Sequence, residues 1–236
     1  MSARVVGWIL GVALFGIASS AIGSDRDRLW SRYARPLVVK HLADRDAGSW
    51  HAPGSRASLD YKAGESLRIG SFATDLSDIF GGGPALVEVG WSPEAQGLFV
   101  NASEGGANGS WGSRVFVTRN GNVVEVPVRK LVIATNGLVP DCPGGEGELC
   151  KYLDLGSLAW LDHGRKILMM LSVPNSSGFT DMGKAELFVV DVQTNTVDKV
   201  ISPAEALRSY STYLLPWIRR SLANFPNNGR GKHSHD

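Results

Sequence analysis

From residue 85 onward, apolar residues fall in short runs separated by turn-forming residues, with the length and β-branched content of strands. Leu86-Val-Glu-Val-Gly-Trp91, the turn Ser92-Pro-Glu-Ala-Gln-Gly97 and Leu98-Phe-Val-Asn-Ala102 predict a hairpin. A second hairpin follows in residues 114–119 and 122–128, joined by Asn120-Gly121, a dipeptide that favours a two-residue type I′ turn. The rhythm returns in residues 158–161, 166–172, 185–191 and 196–201, with Asp162-His-Gly-Arg165 and Gln193-Thr-Asn195 as turns. Trp91 and Trp160 are 69 positions apart and Phe116 and Phe188 are 72 apart, so one four-stranded unit recurs, with insertions, over residues 85–201. In the second unit the outer strands are near-continuous apolar runs, which predicts burial on both faces.

The flanks have a different pattern. Residues 24–84 read as an irregular N-terminal arm, with alternating charges in Asp25-Arg-Asp-Arg28 and Asp44-Arg-Asp46 and breakers at Gly48, Pro53, Gly54 and Gly64. Within it, Leu29, Trp30, Tyr33, Leu37 and Val38 recur at three- and four-residue steps and predict a short amphipathic helix ending near Pro36. Leu67, Ile69 and Phe72 suit a strand that opens the sheet region. After the body, Ser202-Pro-Ala-Glu205 is a capping box with proline at the first helical position. It starts a C-terminal amphipathic helix over 202–225, whose apolar side holds Leu207, Tyr210, Leu214, Trp217 and Ile218 and which Pro216 breaks or kinks. That helix is expected to cover an open face or edge of the sheets. Residues 226–236 form a polar tail expected to be disordered.

Composition supports a turn-rich β protein: 28 of 236 residues are glycine and only 20% are charged. Basic and acidic residues balance at 24 and 23, so the chain lacks the net basic field that a nucleic-acid binder needs.

Met1-Ser-Ala-Arg4, the apolar residues 5–18 and Ser19-Ser-Ala-Ile-Gly23 have the three parts of a secretory signal peptide over residues 1–23. Ala21 and Gly23 suit cleavage before Ser24, and Ser19 and Ala21 suit cleavage before Ile22. The apolar stretch is too short to span a bilayer, which takes roughly 20 helical residues. The chain is therefore expected to be exported, periplasmic or secreted, with no transmembrane span in its mature form. In that compartment the two cysteines, Cys142 and Cys150, are expected to form a disulfide, stapling a loop that Pro143-Gly-Gly145 turns tightly. Their spacing is not Cys-x-x-Cys and no histidine lies within ten residues, which disfavours a redox or metal pair.

Catalytic signatures are few. His41 and His51 fall in the arm and His233 and His235 in the tail, and His163 beside Asp162 belongs to a turn whose backbone geometry demands such residues. No nucleophile elbow, zinc-protease motif or phosphate loop occurs, and the glycine-rich residues 105–112 join two strands and do not open a helix. No cofactor, metal or catalytic residue is assigned. Trp111, flanked by glycines, is the candidate binding residue, as an exposed aromatic platform set against an inward-packed alternative. Asn101, Asn108 and Asn175 head formal glycosylation sequons.

Val89-Gly-Trp91-Ser-Pro93-Glu94 before a strand, with the outer strand Glu186-Leu-Phe-Val-Val-Asp191, resembles the blade motif of TolB-type β-propellers. There a Trp-Ser-Pro-Asp-Gly turn precedes the second strand and a Val-Asp pair ends the third. The second copy keeps Ala159-Trp160 and Asp162-His-Gly164, with Leu161 where the motif has Ser-Pro. The resemblance implies two antiparallel four-stranded, propeller-blade-like sheets and interaction surfaces of the kind that serve envelope complexes. A closed ring needs about four blades, so an incomplete propeller, a homo-oligomer completing a ring and a sandwich all stay open.

These readings converge on an exported, non-enzymatic binding or scaffolding protein of the cell envelope, with an envelope or extracellular protein as partner. The alternative is an exported hydrolase or lyase whose site gathers scattered carboxylates such as Asp154, Asp162, Asp181 and Asp191. A third reading has the Cys142–Cys150 loop inserting into a partner.

Overall fold

The computed structural model describes residues 29–38, 47–52, 54, 58–62, 66–69, 72–74, 86–103, 110–138, 150, 152–174 and 182–224. The signal-peptide segment, His41, the loop around Gly105, Asn108, Cys142, Asn175, Asp181, His233, His235 and the tail lie outside the described residues.

Strand β1 (Arg35–Val38) comes first, followed by a four-stranded antiparallel sheet of β2 (Ala47–His51), β3 (Ser58–Lys62), β4 (Ser66–Ile69) and β5 (Phe72–Thr74), here the N-sheet. The middle sheet is a meander of β6 (Leu86–Trp91), β7 (Gly97–Ser103), β8 (Trp111–Arg119) and β9 (Asn122–Val126), with β1 added antiparallel along β6. Helix α1 (Val128–Thr135) leads to the C-sheet, a second meander of β10 (Asp154–Leu161), β11 (Lys166–Ser172), β12 (Ala185–Asp191) and β13 (Thr196–Ile201). Helices α2 (Pro203–Ser209) and α3 (Pro216–Asn224) follow. The protein is thus mostly β, with antiparallel four-stranded meanders and a C-terminal helical layer, as its strand rhythm and capping box predict; the N-sheet is a third meander beside the two that the rhythm predicts. None of its described helices is long and apolar enough to cross a membrane.

Strand alternation sets the layers, because successive side chains point to opposite faces. Val87, Val89, Leu98, Val100 and Phe116 bury one face of the middle sheet against Leu59 and Ile69 of the N-sheet. Phe99, Val115 and Val117 bury the other face against Ile167, Met169, Leu171, Phe188 and Val190 of the C-sheet. The far face of the C-sheet, with Leu168, Met170, Leu187 and Val189, packs on Ala206 of α2 and on Ile218 and Leu222 of α3. β12 is buried along its whole length because it lies between the middle sheet and the helices. Asn120 and Gly121 both have positive φ, the geometry of the type I′ turn.

Three expectations need correction. The arm over 24–84 is not irregular in its described residues, which supply β1 and the whole N-sheet. Its strands are three to five residues long, so their alternation is too brief to register as a period, yet Leu59 and Ile69 bury on the neighbouring sheet. The amphipathic helix near Pro36 does not form. Trp30 and Ser31 give their backbone N–H groups to the Glu88 carboxylate, and Pro36 sits in an edge strand, where proline is tolerated. A strand running to residue 128 is also wrong, because Pro127 ends β9 and α1 begins at Val128. The β-branched residues of Val128-Arg-Lys-Leu-Val-Ile133 mask the helical spacing of Val128, Leu131 and Val132. Pro216 does break the C-terminal helix, as expected, and the segment forms two helices because proline fits only the first turn of a new one. The Ser202 hydroxyl accepts from the Glu205 N–H at 3.3 Å, so the cap forms as its sequence implies.

Candidate functional site

A polar layer runs through the interface between the middle sheet and the C-sheet. On β6, Glu88 alternates with Val87 and Val89, so its carboxylate points away from the apolar N-sheet side; it is 0% exposed. The N–H groups of Trp30 and Ser31 and the Asn101 side-chain amide all donate to it. Asn101 in turn donates to the Ser157 carbonyl and accepts from the Ser157 N–H, both at 2.8 Å, while the Ser113 and Ser157 hydroxyls lie 2.7 Å apart. Burial pushes the Glu88 carboxyl up to about 7, against the pull of Asn101 and of the two amides. These bonds hold the 29–31 segment against the middle sheet. They also bury the first sequon, because Asn101 is 0% exposed.

Asp154, at the start of β10, accepts from the Trp111 N–H at 2.8 Å. Burial drives its carboxyl up to about 7, opposed by that amide and by the Arg129 charge. The Arg129 guanidinium is lowered by burial, with Asp154 opposing, and it donates to the Cys150 carbonyl at 2.7 Å and to the Leu153 carbonyl. Asp191 lies at the other end of the C-sheet. Burial would raise it, but the N–H groups of Thr194 and Gln193 and the Arg165 guanidinium hold it below the usual carboxylate range. Glu186, also buried, accepts from the Gly137 N–H at 2.9 Å just past α1.

Of the carboxylates of the hydrolase alternative, the structure separates Asp154 from Asp191, whereas Asp162 lies in the turn at the Asp191 end and Asp181 is outside the described residues. Asp154 pairs with Ser172 across β10 and β11, while Asp191 pairs with Lys166 at the opposite strand ends. Six residues of β11 span about 20 Å at the strand rise of about 3.3 Å per residue. Asp162 is exposed in the β10–β11 turn with φ of 48°, and His163 beside it has φ of 53°, so both serve that turn. No group of three metal-ligating side chains occurs among the described residues. Trp111 is half-buried and leans on Trp30 at 6.2 Å between ring centroids; it is part of the cluster under the helices. Cys150 is buried beside α1, and no described cysteine is free.

The residues that sequence reading passed over lie at the β6–β7 hairpin. Buried Ser92 accepts from the N–H groups of Gln96 and Gly97, and its own N–H donates to the Gly97 carbonyl at 2.8 Å, which fixes the turn. Beside this turn lies a cavity of about 160 Å³ between the middle sheet and the N-sheet, walled by Trp91, Leu98, Phe116 and Val123 of the former and by Ile69 and Ser58 of the latter. Gln96 and Thr118 line its rim and are exposed, so the cavity reaches the surface. The Trp91 indole N–H is buried and has no acceptor among the described residues. The signal for this place was in the sequence, because Trp91-Ser-Pro93 is the conspicuous hairpin motif. It identified a turn, and nothing in it showed that the space behind the tryptophan stays unfilled.

No protein family, curated protein or solved structure matches the chain.

Proposed function

We propose that this chain is an exported binding or scaffolding protein of the cell envelope that works without catalysis, built on two blade-like meanders of the TolB type. The observation that carries the reading is the cavity beside the Ser92–Gly97 turn, a surface-reaching recess set on a rigid hairpin between two packed sheets. Buried cores of interfaces are typically filled by an anchor side chain entering such a recess. The buried carboxylates support the same reading: Glu88, Asp154 and Asp191 each accept backbone N–H groups that hold a segment, a strand end or a turn in place. Equivalent placement of Trp91 and Trp160, each at the far end of the first strand of its meander and facing the preceding sheet, supports the blade repeat. Export and the Cys142–Cys150 bridge rest on the sequence.

The test is chemical cross-linking of the full-length chain, expressed in its own cells, followed by intact-mass analysis. The reading expects a mature chain starting at Ile22 or Ser24, lighter by two hydrogens than its reduced form, with one protein captured in stoichiometric yield. A retained leader, or a mature chain that captures only itself, would contradict it.

A further inference from the structure

Charge is unevenly placed on the helical layer that covers the C-sheet. Residues 29–35 and 202–224 hold five arginines, Arg32, Arg35, Arg208, Arg219 and Arg220, in a chain whose charges balance at 24 to 23. Their one carboxylate, Glu205, pairs with Lys199. Helical spacing turns Arg208 away from buried Ala206, and Arg220 away from buried Ile218 and Leu222, so both leave the C-sheet side and both are exposed. Neither makes an ion pair with a described residue. Arg32 and Arg219 are fixed on the connection between the helices. Arg32 donates to the Thr212 carbonyl at 2.6 Å, and Arg219 Nε donates to the Leu214 carbonyl at 3.1 Å. Tyr33, 57% exposed, has the Arg32 guanidinium 5.8 Å from its ring centroid. Tyr213 stands 6.0 Å from Tyr33 between centroids, and Tyr210 stands 6.4 Å from Tyr213.

We infer that this face docks on an anionic phospholipid surface, its arginines meeting headgroup phosphates and its tyrosines lying at headgroup depth. Three observations favour a bilayer as the occupant. Guanidinium forks match phosphate oxygens in pairs, and here all the charge of the face is arginine. Partly exposed tyrosines, with an apolar ring and a polar tip, are the side chains that settle at a membrane–water interface. The order of the chain supplies the third. Ten residues, 19–28, join the apolar residues 5–18, read above as a leader, to Leu29. That link reaches at most about 40 Å, so during export this face lies within reach of the membrane that the leader enters. The docking goes beyond the binding reading and uses a different face. The cavity beside the Ser92–Gly97 turn lies between the middle sheet and the N-sheet, across the C-sheet from these helices.

The test is flotation of the chain, purified from its own cells after processing, with two kinds of vesicle. One is phosphatidylcholine alone; the other is phosphatidylcholine and phosphatidylglycerol in equal parts. Binding to the anionic vesicles only is expected, with release between about 0.1 and 1 M salt, as the Debye length falls from about 10 to about 3 Å. The double variant Arg208→Gln, Arg220→Gln is expected to bind about 30-fold more weakly, about fivefold for each basic residue near the surface. Arg68→Gln with Lys130→Gln removes the same charge from exposed positions on the N-sheet and α1, and is expected to leave binding unchanged. Poly-glutamate, acidic but without a bilayer, is expected not to displace the chain from the vesicles at matched charge. Equal binding to the neutral vesicles, no binding to the anionic ones, or an equal loss in the two double variants overturns the inference. Displacement by poly-glutamate also overturns it and assigns the face to an acidic polypeptide. The comparison between vesicles is made on the wild-type chain, so it stands whatever the variants do to folding.

Discussion

The Trp30 indole rests directly on the backbone of Gly156, so closely that a Cβ on Gly156 would lie 2.1 Å from the ring. Trp217 meets the same indole edge-on at 5.6 Å between centroids and donates its own N–H to the Leu29 carbonyl at 2.7 Å. The N-terminal segment thereby ties the C-sheet to α3, while Glu88 ties it to the middle sheet. A methyl at residue 156 meets a large, fully buried ring that has nowhere to move. Gly156→Ala is expected to destabilise the protein by about 1–3 kcal/mol, the usual cost of overpacking, read as a lower urea midpoint. In a Trp30→Ala background the same substitution should cost far less. An equal cost in both backgrounds would place the strain elsewhere.

Stability should depend on Glu88 in a particular direction. Its carboxyl stands at 4.5 when solvated and is raised by burial to about 7 in the fold, so between those values the folded chain binds more protons than the unfolded one. The contribution is complete below the unfolded pKa and is lost as pH rises through the folded one. Asp154, raised from 3.8 to about 7, acts in the same sense. For Glu88 the effect reaches about 3 kcal/mol at most, from the rise of its carboxyl to about 7. In Glu88→Gln the amide oxygen still accepts from Ser31 and Asn101, so folding should persist while the loss of stability between pH 5 and 8 becomes shallower. Denaturant midpoints measured across that range decide it, and an unchanged slope would refute the assignment.

The sequence announced the body well and the site poorly, for different physical reasons. Runs such as Leu98–Val100 and Ile167–Leu171 are long enough to declare strands, and Asn120-Gly121 declares its turn by needing positive φ. Ser202-Pro203 and Glu205 declare a helix start through purely local chemistry. The N-sheet is hidden because its strands are short and their stability comes from burying Leu59 and Ile69 on another sheet. Trp30 reads as helical by spacing, yet a buried carboxylate 58 positions away takes its N–H. Trp111 stands between glycines like a platform but leans on Trp30, a neighbour no local pattern reveals. Trp91 is legible as the end of a strand and a marker of the repeat, while the cavity beside it is a property of the space between two sheets.

The central claim is that a partner meets this protein at the β6–β7 hairpin, beside Trp91. The most direct measurement places a photoreactive p-benzoylphenylalanine at Gln96, whose exposed side chain lines the cavity rim, and another at exposed Lys130 on α1 as a control. After illumination of intact cells, the account predicts one discrete adduct with a second protein from position 96, none from position 130, and a weaker adduct when Trp91 is replaced by Phe. The same adduct from both positions, or none from position 96, would contradict it.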